Sequence, residues 1–413
     1  MLRYSIDTNL IRNLTKGSIQ KTWLYLRRVV AVAELMGLPR SVRLYQSQLA
    51  SGVAGSTENN IRVRTWAAVC TIDRLCGILH NMPMATRAYR VPTIFEQPQH
   101  GTTQPLNYII QLSSIAAQIQ DLEDARASQA SDSDLYVDVL KLDGALRALA
   151  STLPSNWIEG APPITAAGYL ICFVQYCTTM QVHLHFVLRD DTARQFTYSK
   201  LAGKKACQDV ARQWLRIRPM LPVGFFLSRV MDVQAFTATV VMLLLSHRNH
   251  LGTKVSIDAD TDRMNSLMAE TMQMLEEKSS EPFASDFVRE AVETLHSLIA
   301  LLNGQTTKDS PEVMLKVPLL GRLRVHRRVR VSSTNHESTN HCMDQSSDGA
   351  NVDQIRPRAL SSGIAAVRSP PPIAIDTDSA LSWLIEDDYE SLFQNYLASD
   401  LGDSWQNWQA LSS

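Results

Sequence analysis

Residues 62–92, RVRTWAAVCTIDRLCGILHNMPMATRAYRVP, carry the clearest helical pattern of the chain. Their apolar side chains recur at helical spacing before Pro83: Trp66, Val69, Cys70, Leu75 and Ile78. Pro83 and Pro92 then force a defined loop, because proline cannot continue a helix and restricts the residue before it. The stretch therefore predicts an amphipathic helix whose Trp66 lies in the core.

Similar helical patterns recur through residues 1–303. Outside the quoted stretch they cover roughly residues 23–36, 104–122, 132–152, 166–188, 199–219, 229–248, 264–275 and 287–302. Apolar and polar residues nowhere alternate over a sustained stretch, so no sheet is expected. The predicted fold class is all-α, a multi-helix body followed by a largely disordered C-terminal tail.

The composition of the chain changes after about residue 303. Residues 304–375 are rich in Ser, Thr, Asn, Asp and Pro, which predicts a disordered linker. The linker contains a basic tract at 316–330, KVPLLGRLRVHRRVR, with six Lys or Arg and no acid. Residues 376–413 reverse the sign, with eight Asp or Glu and neither Lys nor Arg. We therefore predict three regions: a helical body, a linker and an acidic, aromatic-rich segment.

Charge and hydropathy exclude several classes of protein. The 413 residues include 40 Lys or Arg and 41 Asp or Glu, so a globally basic nucleic-acid binder is not expected. Residues 1–20 lack the apolar region of a signal peptide. The longest apolar run, Ala235–Leu245, is eleven residues long, whereas a bilayer span needs about 20. We predict an intracellular protein with free thiols and no membrane partner.

No catalytic motif is recognisable in the sequence. G-x-S-x-G, the P-loop, G-x-G-x-x-G and H-E-x-x-H are all absent. His183 and His185 point apart on a helix, so with Cys172 and Cys177 they are interpreted as core side chains. Four methionines at helical spacing are also interpreted as core rather than as a ligand surface: Met264, Met268, Met272 and Met274.

Three stretches together resemble a known family. They are TWLYLRRVVAVAELMGLPR (22–40), the stretch quoted first (62–92), and GYLICFVQYCTTMQVHLHFVLRD (168–190) followed by KLAGKKACQDVARQWLRI (200–217). They are similar to the fungal-specific transcription factor domain, the middle homology region of fungal zinc binuclear cluster transcription factors. The matching positions are Trp23, Gly37, Arg64, Trp66, Asp73, Arg74, Pro83 and Pro92, with Pro39 where the family has His.

The resemblance implies an all-helical regulatory body, without catalytic residues, that contacts partners and senses metabolites. It implies a structural role for Asp73 and Arg74, for which an ion pair at a helix crossing is preferred over a catalytic carboxylate. The family's DNA reader is a six-cysteine cluster that binds two zinc ions. Here the cysteines are separated by 5, 95, 4, 29 and 134 residues, so no cofactor is expected. The chain begins within the family's middle region, so its earliest helices are expected to be missing.

The acidic segment carries an amphipathic pattern of its own. Ile385, Tyr389, Leu392, Phe393 and Tyr396 fall at offsets 0, 4, 7, 8 and 11, with Trp383 just before them. An acidic, aromatic-rich segment of this kind is typical of activation segments that fold in a coactivator groove. The alternative is a C-terminal helix that docks on its own body.

The basic tract contains five clustered arginines: Arg322, Arg324, Arg327, Arg328 and Arg330. Such clusters are recognised by nuclear import receptors, although a solvated or phosphate-binding stretch has the same composition.

Together these patterns predict a nuclear fungal transcription regulator that controls a metabolic or secondary-metabolite gene set, with no zinc cluster of its own in this chain; the acidic segment favours an activator without excluding a repressor. The expected partners are a coactivator or another regulator, DNA through that partner, and a small-molecule effector. The alternative is an all-helical small-molecule-binding protein or an enzyme of unknown reaction.

Overall fold

A computed structural model describes residues 19–51, 57–91, 105–154, 157, 166–189, 195–221, 227–252, 259–281, 286–303, 312–327 and 373–376. These residues form ten α-helices, one short 3₁₀ turn and three short strands. The predicted all-α class is confirmed. The helices are α1 (Ile19–Leu35), α2 (Leu38–Ala50), α3 (Thr57–His80), α4 (Pro105–Ala127), α5 (Asp132–Ala150), α6 (Ala166–Val187), α7 (Thr197–Ile217), α8 (Ser228–Gly252), α9 (Ala259–Ser279) and α10 (Asp286–Leu302).

The first two helices are separated by a turn at Gly37. Its φ of +71° lies in the left-handed region that glycine adopts without a steric penalty, which ends α1. A new helix, α2, begins at Leu38 directly after this turn, in a stretch where the sequence pattern predicts none. Pro39 occupies its first turn, where a missing N–H group costs no helical hydrogen bond.

A large hydrophobic core joins α3–α10. Helix α8 runs through it, and even its polar residues Gln234, Thr237 and Thr239 are buried. Both threonine hydroxyls donate to carbonyls four residues earlier, which satisfies them inside the core. The stretch Ser228–His247 is long and apolar enough to cross a membrane, but 83% of its most apolar window is buried inside the body, as in the core helix of a soluble protein. This 20-residue stretch contains the eleven-residue apolar run Ala235–Leu245, which by itself is too short to span a bilayer.

Helices α6 and α7 make the most extensive helix–helix contact, and Gly203 permits it. A Cβ atom at Gly203 would lie 2.1 Å from Val187 Cγ2 and 3.1 Å from His183 Cβ. Val187 is β-branched and has few rotamers with which to give way.

Gly203→Ala is therefore expected to lower the free energy of unfolding by about 1–3 kcal/mol through overpacking. The matched control is Gly144→Ala in α5, where an added Cβ has no atom within 4 Å and alanine favours the helix. Urea unfolding followed by circular dichroism distinguishes the two variants. Equal midpoints for Gly203→Ala and the parent would contradict the close packing.

The prediction that the chain has no sheet is wrong for three short segments. Strands β1 (Glu312–Val317) and β2 (Gly321–Arg327) form an antiparallel hairpin, and β3 (Ile373–Asp376) pairs antiparallel with the other edge of β2. Leu315, Val317, Leu323 and Val325 are buried and join the helical core. Apolar and basic residues alternate along β2, but the stretch is too short to stand out against its positive charge.

The hairpin also corrects the predicted linker. Residues 312–317, 321–327 and 373–375 belong to the predicted disordered linker at 304–375 but are strands, and the hairpin packs against α10. The rest of that region, and the acidic segment after Asp376, lie outside the described residues.

Candidate functional site

The residues that carry the family resemblance meet around the loop that follows α3. Trp66 is 1% exposed, as predicted, and Tyr89 of the loop packs edge-on against its ring with 5.0 Å between the centroids. Trp23 of α1 donates its Nε1–H to the Pro83 carbonyl at 3.0 Å. Residues of α1 and α3 far apart in sequence thus hold one loop in place.

Asp73 and Arg74, both buried, bind this loop rather than forming the ion pair at a helix crossing that was preferred. Asp73 Oδ2 accepts from the N–H and the hydroxyl of Thr86, each at 2.8 Å. Arg74 donates to the carbonyls of Thr86, at 2.8 Å, and of Tyr89. A carboxylate and a guanidinium on adjacent residues therefore satisfy the polar backbone of a buried turn.

Of the other family positions, Arg64 is exposed on α3. Arg62 in the preceding turn donates to the Met36 carbonyl at 2.6 Å and to Ser41 Oγ at 3.1 Å. These two hydrogen bonds connect α3 to the α1–α2 turn and to the first turn of α2. Pro92 lies outside the described residues.

The C-terminal carbonyls of α3 are bound by distant glutamines. Gln181 of α6 donates to the Ile78 carbonyl at 2.7 Å, and Gln234 of α8 donates to the Leu79 carbonyl at 2.8 Å. The last carbonyls of a helix have no partners within the helix, so these side chains replace water at a buried helix end. The end of α3 is therefore fixed against α6 and α8.

Beside this helix end lies a cleft of about 960 Å³. It is bounded by the ends of α3 and α4, the start of α5, the C-terminal half of α6 and the turn of the β1–β2 hairpin. Trp23 and Pro83 line it, which connects it to the loop described above. The hairpin turn supplies Leu319 and Leu320, in a region predicted to be linker.

Sequence reasoning missed this cleft. Its walls come from five separate stretches of chain, and no motif links them. The sequence signal that could have indicated it is the short alternation of apolar and basic residues in β2, because such alternation is typical of a strand with one buried face.

The carboxylates that line the cleft are each paired with arginine. The pairs are Glu123 with Arg126 at 3.3 Å, Asp124 with Arg87, and Asp132 with Arg189. Burial raises the pKa of Glu123, and Arg126 opposes that rise. Burial, together with Arg126 and Arg189, lowers the pKa of His185 to about 4, so this imidazole is neutral at pH 7. The three carboxylates of the cleft are therefore balanced by three guanidinium groups.

A second polar cluster resembles a catalytic triad, because Ser199, His183 and Asp143 form a chain. Ser199 Oγ lies 3.0 Å from His183 Nδ1, and His183 Nε2 lies 3.2 Å from Asp143 Oδ1. Their exposures are 0%, 0% and 2%, so no substrate reaches the hydroxyl in this conformation. Burial tends to raise the pKa of Asp143, but hydrogen bonds from His183 and Tyr198 outweigh it and lower that pKa. The cluster joins α5, α6 and α7.

The cysteines and methionines lie as core residues in the described ranges. Cys70, Cys76, Cys172, Cys177 and Cys207 are free thiols, and burial raises the pKa of Cys70 and Cys207 to about 12. A thiol held in its protonated form is a poor metal ligand. Within the described residues, no three His, Cys, Asp or Glu side chains are placed to hold a metal ion. Met264 and Met268 are buried, and Met272 and Met274 pack against the same core.

The structure describes three of the five arginines predicted to act in nuclear import. Arg322, Arg324 and Arg327 lie in β2, the central strand of the sheet, and Arg324 is exposed. Arg328 and Arg330 lie outside the described residues. The six activation candidates, Trp383, Ile385, Tyr389, Leu392, Phe393 and Tyr396, also lie outside them.

The chain is similar in sequence to three curated proteins that are named as regulators or transcription factors. The dehydrocurvularin biosynthesis regulator of Alternaria cinerariae is 23% identical over 346 residues, covering 75% of this chain and 43% of that protein. Transcription factor sdnS of Sordaria araneosa is 20% identical, covering 76% of this chain and 43% of its own length. Transcription factor eupR of a Phoma species is 31% identical over 141 residues, 34% of this chain and 28% of its own.

These distant relatives are fungal transcription regulators. The chain spans less than half the length of each of the three. No family model and no solved structure matches it.

Replacing all five arginines of the basic tract with alanine is expected to reduce nuclear accumulation of a fluorescent fusion, because import receptors recognise clustered positive charge. The control replaces three exposed arginines of α1 and α2: Arg28, Arg40 and Arg43. Confocal imaging gives the ratio of nuclear to cytoplasmic signal. An unchanged ratio in the five-arginine variant removes the tract from the localisation argument.

Proposed function

We propose that this chain is the regulatory part of a nuclear fungal transcription regulator that controls a secondary-metabolite gene set. The observation that carries the proposal is its similarity, over about three quarters of its length, to proteins named as a biosynthesis regulator and a transcription factor. The helical body holds partner and effector surfaces, and the acidic segment at 376–413 contacts a coactivator. DNA is reached through a partner, and this chain uses no cofactor of its own.

The enzyme alternative has less support. Within the part of the chain that the structure describes, the arrangement with catalytic character is Ser199–His183–Asp143, and it is enclosed by α5, α6 and α7. A nucleophilic serine must contact its substrate, and this hydroxyl is fully buried. The small-molecule-binding alternative is favoured by the cleft, and it is compatible with regulation if the bound molecule is an effector.

The test is transcript sequencing in the source fungus after deletion of the gene, with the intact gene restored as the control. A regulator of this kind is expected to change the transcripts of a co-ordinated set of biosynthetic genes and to leave housekeeping transcripts unchanged. Loss of a metabolite with unaltered transcripts would instead indicate an enzyme.

Purified residues 1–413 are expected to bind no DNA sequence specifically at physiological salt, since the six cysteines are too dispersed to form a zinc cluster. The basic tract is expected to bind DNA weakly, with an affinity that falls steeply as salt rises, as phosphate contacts do. Fluorescence anisotropy with unrelated duplexes across a salt series measures both properties. A sequence-selective complex with a nanomolar dissociation constant that survives added salt would contradict this expectation.

A further inference from the structure

The cleft beneath the hairpin has the size and wall chemistry of a ligand site. Its volume of about 960 Å³ lies at the upper end of the range of about 300–1,000 Å³ found for small-molecule pockets. Three side chains that line it, Ile119, Leu135 and Leu188, are almost fully buried in the core beneath it. The bottom of the cleft is therefore an apolar surface continuous with the core.

Polar groups lie among this apolar surface. Gln120 and Gln129, near and just beyond the end of α4, line the cleft. Gln129 has a φ of +59°, and Ala130 N–H donates to the Ala125 carbonyl at 3.1 Å, which closes the helix end. Ser131 then caps the start of α5, where its hydroxyl accepts from Asp134 N–H at 3.2 Å. The α4–α5 turn thus presents amide groups from a fixed backbone.

The charges of the cleft argue against an ionic ligand. Each of its three carboxylates already has an arginine partner, and His185 is neutral at pH 7. A charged ligand would compete with the counter-charge that already lies beside each of these groups. Breaking a partly desolvated pair in this way costs free energy that a neutral ligand does not lose.

We propose that this cleft binds an uncharged, mainly apolar small molecule that carries a few hydrogen-bonding groups, and that this molecule is the effector of the regulator. The effector role rests on the proposed function, whereas the binding site rests on the geometry alone. The hairpin connects the cleft to the segment through which the regulator is proposed to act. Its turn forms one wall of the cleft, and its strand β2 pairs with β3, which ends at Asp376, where the acidic segment begins.

The test uses the full chain and two dyes. Nile red is an uncharged apolar probe, and 8-anilinonaphthalene-1-sulfonate is an anionic aromatic one. Nile red is expected to bind saturably with one site per chain, and the anionic dye at least about tenfold more weakly, because both arginines that line the cleft already have a carboxylate partner. Fluorescence titration measures both affinities.

Ala127→Trp places an indole in the cleft from an exposed position at the end of α4. It is expected to weaken Nile red binding by at least about tenfold, since the ring occupies ligand volume. The matched control is Ala148→Trp, at an exposed alanine of α5 that does not line the cleft. Ala130→Trp fills the cleft from a second position, and thermal melting identifies any variant that fails to fold.

Three results would overturn the proposal: no saturable Nile red binding, equal binding by Ala127→Trp and Ala148→Trp, or tighter binding of the anionic dye at the same site. None of these measurements involves transcription. Dye binding that depends on the cleft, together with unaltered transcripts after gene deletion, would contradict the proposed function and leave the ligand site standing.

Discussion

Trp66→Ala is expected to lower the free energy of unfolding by about 3–5 kcal/mol, because it opens a cavity that neighbouring side chains cannot fill. Trp66 is among the largest fully buried side chains, and it packs with Val30, Val63 and Ala67. The substitution also removes the edge-on contact with Tyr89, whose carbonyl accepts from Arg74. We therefore expect the loop after α3 to loosen together with α1 and α2.

Urea unfolding of the full chain measures the loss. Ile61→Ala is the matched control, since Ile61 lies on the same helix but is 55% exposed. It is expected to change the stability by less than about 0.5 kcal/mol. Insolubility of Trp66→Ala, with a soluble Ile61→Ala, agrees with the prediction. A thermal midpoint within about two degrees of the parent would show that Trp66 contributes little to the core.

Residues 376–413, fused to an unrelated DNA-binding domain, are expected to activate a reporter gene in a fungal host. Acidic side chains keep such a segment soluble and steer it towards basic rims around apolar coactivator grooves. Affinity then comes from Tyr389, Leu392, Phe393 and Tyr396 entering the groove as one helical face.

Leu392→Ala combined with Phe393→Ala is expected to abolish activation, whereas neutralising Asp387 and Asp388 is expected only to weaken it. Immunoblotting of the fusions controls for their abundance. A silent parent fusion, or a fully active double variant, would favour the alternative of a helix that docks on its own body. The regulator proposal would then rest on the relatives alone.

For the loop after α3, some features could be predicted from the sequence and others could not. The prolines predicted a defined loop, and helical spacing predicted that Trp66 is buried. The partners of Asp73 and Arg74 were not predictable, because Thr86 and Tyr89 bind them only once the loop folds back along α3. For that reason Asp73 and Arg74 form hydrogen bonds to the loop in place of the expected ion pair.

The hairpin is the clearest failure of prediction. Strand preference in so short a segment comes from burial and cross-strand neighbours more than from the residues themselves. Arg324 and the other basic residues of the tract made it resemble solvated chain, while Leu323 and Val325 were the residues that mattered for packing. The cleft was missed with it, since the hairpin turn forms one of its walls.

Residue spacing was sufficient to predict every described helix except α2, as well as the burial of Trp66. Helices and helix burial depend on residues three or four positions apart, whose spacing places them on one face of a helix. The cleft and the hydrogen bonds of Asp73 and Arg74 to the loop follow from packing between distant segments, as does the bond of Gln234 to the Leu79 carbonyl, which joins residues 155 positions apart. Such contacts exist only after distant segments have packed, because the packing itself brings their polar groups within hydrogen-bonding distance.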